Sequence, residues 1–175
     1  MEREEKKLTG GSVIGEFTDT ITYTDGTKEV REGQNLIVND IGKLIACLFK
    51  RHEGYDGLTY WAIGSGQDAW DDKNINPTVL DSRLETEHFR KAIPKENVQF
   101  LDESGEPTEE ITNRIGITLT FSTEEANGKW REFSIFGGDA TGSLNTGLMI
   151  NHKIHKILTK DETMTIERQI RFTFN

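Results

Sequence analysis

The sequence predicts a mainly β domain, an antiparallel β-sandwich or barrel-like fold with one amphipathic helix at about residues 39–51. Three observations lead there. Short apolar runs alternate with polar residues at the two-residue period of half-buried strands. Turn signals separate them, with 17 glycines and only 3 prolines in 175 residues. A single stretch carries the helical period. The length suggests one domain, large enough to build its own core. Residues 1–11, "MEREEKKLTGG", are expected to be a flexible charged arm, and 12–175 a single β-rich domain.

Ile21 and Tyr23 alternate with Thr20, Thr22 and Thr24, and Asp25-Gly26 is a hairpin signal because glycine accepts the positive φ of such turns. A strand is expected on each side, with a further short one over Asn35–Val38. In "NDIGKLIACLFKR", Ile41, Leu44, Ile45, Leu48 and Phe49 fall on one helical stripe. Asn39 is placed to cap its first turn through the side-chain oxygen. Lys50 and Arg51 suit the negative end of the helix dipole. "LTYWAIG" reads as a strand and "SGQDAWDDKNINPTVLDS" as a long loop broken by Pro77.

"SRLETEHFRKAI" is ambiguous. Leu84, His88 and Phe89 suit one helical face, but a strand starting near Phe89 fits as well. "NVQFL" is a short strand and "DESGEPTEE" a polar excursion. In "RIGITLTFS", Ile115, Ile117, Leu119 and Phe121 share one face. "KWREFSIFGG" is a strand with Phe133 and Ile135 facing one way, Trp130 and Phe136 the other. "LMINHKIHKI" and "ETMTIERQIRFTF" complete the set. Met164, Ile166, Ile170, Phe172 and Phe174 share the apolar face of the last strand, and Arg168 interrupts it. An arginine there needs a carboxylate partner or a route for its head to water.

The formal net charge of −9, with basic residues scattered, argues against a nucleic-acid partner. No apolar stretch approaches the roughly 20 residues of a membrane span. The N-terminus lacks a signal peptide's apolar segment, so synthesis in a cytoplasm is expected. The lone Cys47 excludes an internal disulfide and reads as an inert core residue of the helix.

No pattern points to chemistry. Gly64-Ser65-Gly66 lacks the third glycine of a dinucleotide loop, and no Walker lysine follows. Asp68, Asp71 and Asp72 do not have the spacing of a calcium loop. His152 and His155, three apart on a strand, point to opposite faces. Glu109-Glu110 and Glu124-Glu125 sit in turns. Trp61, Trp70 and Tyr60 offer stacking faces for a glycan only if exposed. Glu87 and Arg90 pair on a helix but face opposite ways on a regular strand. No cofactor, metal or catalytic residue is expected.

Five patterns resemble those of bacteriophage virion structural proteins. "YWAIGSG" fits a "Y-x-A-x-G-x-G" strand before a Pro/Thr/Asp loop. Leu84, Glu87, Arg90 and Ile93 fit "L-x-x-E-x-x-R-x-x-I". "REFSIFG" fits an "R-E-x-x-I/L-F-G" strand, "MINH" the strand after it, and "RQIRFTF" a closing "R-x-I-R-x-T-F" strand. "NLIV" before the helix also fits. The resemblance runs from about Gly15 onward. It implies a non-enzymatic, multi-copy component of the tail, collar or baseplate region, made in the bacterial cytoplasm and carried in the virion. A capsid decoration or head-fibre protein is the alternative, and a receptor- or glycan-binding module is an alternative of another class. The implied partners are other virion proteins and copies of itself, with a host surface receptor as a further candidate. Asp68, Trp70, Asp71 and Asp72 are expected in a contact loop, and Glu87, Arg90 and Arg168 in structural ion pairs.

Overall fold

The computed structural model describes residues 12–70 and 75–175. The arm expected at 1–11 and the contact-loop candidates Asp71 and Asp72 lie outside the described residues. Strands β1 (Val13–Tyr23) and β2 (Lys28–Ile37) form the first hairpin. Helix α1 (Asp40–Lys50) follows, then β3 (Asp56–Gly64), β4 (Glu87–Ala92), β5 (Val98–Leu101) and β6 (Pro107–Thr108). β7 (Arg114–Phe121), β8 (Gly128–Gly138), β9 (Leu148–Met149), β10 (Asn151–Lys160) and β11 (Met164–Phe174) complete the chain.

The described strands form one antiparallel sheet in the order β4-β3-β8-β10-β2-β1-β11-β7-β5-β6, with β9 beside β8. Its weak point is the middle. β10 meets β2 through only two residue pairs, Asn151 with Ile37 and His152 with Leu36. There the sheet turns a corner and its halves face each other. Phe17 of β1 meets Phe133 of β8 at 5.3 Å between ring centres, edge to face. Phe121 of β7 meets Trp61 of β3 at 6.2 Å and Trp130 of β8 at 5.0 Å. The fold is a sandwich made from a single sheet, and it does not close into a barrel.

The alternation of β1, β7 and β11 supplies one wall of the core: Phe17, Ile21, Ile117, Leu119, Phe121, Ile166, Ile170 and Phe172 are all buried. Burying such a side chain contributes about 1.5–3 kcal/mol each. Trp130 departs from expectation. It lies in the same core as Phe133 and Ile135, while Phe136 packs in a second cluster with Val38, Leu84 and Met149. β10 shifts register between Ile154 and Leu158, opposite Glu132 and Trp130, and this irregularity breaks strict alternation. The Trp130 indole N–H donates to the Ala126 carbonyl at 2.6 Å.

Helix α1 is only half covered. Leu44 is buried, but Leu48 is 40% and Phe49 86% exposed. Asn39 does not cap it as expected. Its backbone is already helical, and its side chain makes no cap hydrogen bond. Instead its amide donates to the Val79 carbonyl at 2.9 Å, which ties the helix start to the long loop. The segment left ambiguous between helix and strand is β4.

Candidate functional site

β3 ends at Gly64, opposite Glu132 of β8. Glu132 is fully buried. Its Oε1 accepts the Gly66 amide at 3.2 Å and the Thr86 amide at 3.0 Å. Its Oε2 accepts the Glu85 amide at 3.1 Å and lies 3.0 Å from His152 Nε2. His152 Nδ1 is 2.7 Å from Asp81 Oδ2. Asp81 in turn accepts the Thr78 amide at 2.9 Å and the Thr78 hydroxyl at 2.7 Å. Glu132, His152 and Asp81 thus bind both ends of the long β3–β4 loop to β8 and β10.

Burial alone would push the Glu132 carboxyl up. His152 and the amide donors outweigh it and hold the group below the usual carboxylate range. Asp81 is likewise pushed up by partial burial, but Thr78 and His152 together hold it low. Gly64 makes room for the carboxylate, and Gly66 for the turn that aims its amide at it. A Cβ on Gly64 would sit 2.5 Å from Glu132 Oε1. Gly66 has φ +62°, and a Cβ there would strike the Trp70 ring at 2.6 Å. The Gly-Ser-Gly stretch does grip an anion, and that anion is an internal glutamate.

A second clamp holds loop 139–147. Arg90 donates to Glu87 through Nε at 2.6 Å and Nη2 at 2.9 Å. Its Nη1 donates to the carbonyls of Thr146 and Thr141 at 2.8 and 3.2 Å. Glu87 Oε2 also accepts the Asn145 amide at 2.9 Å. The guanidinium lies 4.4 Å from the centre of the Phe136 ring. On a regular strand Glu87 and Arg90 would face apart. The pairing of β3 with β4 shifts register between Ile63 and Gly64, which brings both onto one face.

Arg168 sits in the core, paired with Asp19 through Nε at 2.5 Å and Nη2 at 2.6 Å. Both residues are buried, and the guanidinium lies 4.1 Å from the Phe133 ring centre and 5.0 Å from that of Trp130. Aromatic faces and one carboxylate replace water for this charge.

Of the expected contact loop, Asp68 is exposed in a short 3-10 turn and pairs with Lys129 at 3.3 Å. Trp70 turns inward: it is half-buried, and its carbonyl accepts Arg131 Nη2 at 2.7 Å. His152 and His155 are separated as a strand requires. Among the described residues no group of three or more histidine, cysteine, aspartate or glutamate side chains is arranged to hold a metal. Sequence reasoning missed Glu132, His152 and Asp81 as a unit. One signal was available: a glutamate, Glu132, inside the apolar strand "REFSIFG". Compared with protein-family models, curated proteins and solved structures, the chain matches none.

Proposed function

We propose that this chain is a non-enzymatic structural protein of a bacteriophage virion, a multi-copy component of the tail, collar or baseplate region. The observation that carries the reading is where the residues of the five patterns fall. Gly64 and Gly66, Glu132 and His152 form the first clamp. Glu87 and Arg90 form the second, and Arg168 the third, with Asp19. In the first two clamps the patterns encode loop anchoring, and in the third they tie β1 to β11, so together they describe one rigid β framework, which is consistent with a particle component. The charged groups of the first two clamps turn their hydrogen bonds inward, onto loop backbones and each other.

The surface offers neighbours something to hold. Phe49 on α1 and Leu80 and Ile111 in two loops are 86%, 79% and 88% exposed, single apolar side chains open to contact by a neighbour. Copies of the chain and other virion proteins are the partners this reading assigns. Mass spectrometry of purified mature virions tests it, with the protein expected in stoichiometric multiples. Its absence from the particles overturns the reading. Immunogold labelling of the head surface instead of the tail would move it to a capsid decoration.

A further inference from the structure

Where β10 leaves β2 after two residue pairs, the strands splay and open a cleft of about 480 Å³. That volume falls in the usual range for small-ligand sites, about 300–1,000 Å³. Phe17 and Asp19 line it from β1, Glu29, Arg31 and Glu32 from β2, and Lys153, His155, Lys156 and Ile157 from β10. Gly33 keeps it open, since a Cβ there would meet the Phe17 ring at 2.9 Å.

The charges do not balance. Asp19 is neutralised by Arg168 and Glu29 by Arg31, at 2.5 and 2.6 Å. That leaves Glu32 against Lys153 and Lys156, one positive charge in excess, in a chain whose net charge is −9. Lys153 is half-buried, and its ammonium has no hydrogen-bond or ion-pair partner among the described residues, only the Phe17 ring with its centre 5.5 Å away. Burial pushes its pKa down. An ammonium partly withdrawn from water without an anion is a cost that a bound anion would remove. One excess charge matches a monoanion better than a phosphate dianion. The Phe17 ring and Ile157, 37% exposed, add apolar surface beside it.

We infer that this cleft binds a carboxylate carrying an apolar body, with Lys153 as its ionic anchor. Such a group is supplied either by a free aryl or alkyl acid or by an acidic side chain flanked by apolar residues on another protein. The inference does not depend on the virion reading, and the two tests share no measurement.

The test is an NMR titration of the full chain, following the Lys153 ammonium and the His155 ring, which lies in the cleft and reports a nearby negative charge. The probes are benzoate, benzamide, inorganic phosphate and the peptide acetyl-Leu-Glu-Leu-amide. Saturable shifts are expected with benzoate or the peptide, and binding at least about tenfold weaker, about 1.4 kcal/mol, with benzamide. The tighter of the two acids identifies the source. Lys153→Met should bring benzoate down to the benzamide level, and Lys153→Arg should retain it. Equal binding of benzoate and benzamide, tighter binding of phosphate than of either acid, or no saturable shift with any probe overturns the inference. The benzoate–benzamide contrast needs no variant, so it decides even if Lys153→Met fails to fold.

Discussion

Glu132 Oε1 lies 3.2 Å from the Gly66 amide nitrogen, 66 residues away in sequence, in the space that a Cβ on Gly64 would occupy. The contact makes two residue choices depend on each other. Glu132→Gln replaces one acceptor oxygen by an NH₂ group that faces amide donors, and it removes the charge beside His152. A loss of about 3 kcal/mol is expected in urea unfolding. Gly64→Ala should be severe in the native chain and mild in Glu132→Ala, because the clashing carboxylate is then gone. A double-mutant cycle should give a coupling of about 0.5–3 kcal/mol. Additive effects would refute the contact.

Arg90 holds loop 139–147 with a fork of donors, two of them on Glu87 and one nitrogen on the loop carbonyls. Lysine keeps the charge but has one point of attachment, so it cannot serve both. Arg90→Lys should leave β4 and β8 protected while the amides of 141–147 exchange at least about tenfold faster. Uniform acceleration across the sheet would mean that Arg90 supports the whole fold instead of the loop.

The framework was readable where burial follows a simple period. β7 and β11 show their apolar faces directly, and the α1 stripe stands out at helical spacing. β4 was not readable. "EHFRKA" carries a register shift, and Glu87 and Arg90 meet only because of it. The Asn39 cap misled for a related reason: the local signal was sound, but the loop carbonyl of Val79 took the Asn39 amide and the backbone was already helical. The Glu132–His152–Asp81 clamp left almost no local trace. Its donors come from loop backbones, which any residue type supplies, and its members are spread over 71 positions. The folding of the sheet onto itself depends on the two-pair seam between β10 and β2, which no periodicity reveals.

Asp19 and Arg168 form a deeply buried charge pair between opposite ends of the chain. Removing one partner leaves the other charge stranded against Phe17, Trp130 and Phe133. Asp19→Asn should cost about 3–5 kcal/mol. The double replacement Asp19→Leu with Arg168→Met removes both charges and should recover most of that loss. Chemical denaturation of the three chains checks this. A double variant no more stable than Asp19→Asn would show that the pair's exact shape, not its charge balance, sustains the core.

His155 sets a separate pH window. Burial, with the nearby positive charge of Arg168, pushes its pKa down from 6.5 to about 4. The unfolded chain therefore binds a proton at this site between those values and the folded chain does not. Stability falls as pH drops from about 6.5 towards 4, by at most about 3 kcal/mol from this group. Glu132 and Asp81 are both held below their ordinary values, so they act in the same direction at lower pH. Their contribution is present above the unfolded carboxylate range and is lost as pH falls through the folded values. The two effects are separable. His155→Gln should flatten the dependence of unfolding free energy between pH 6.5 and 4.5 and leave the steeper acid limb below it. Unfolding in urea at half-unit steps of pH reads both limbs, and an unchanged slope above pH 4.5 would show that His155 is not the group titrating there.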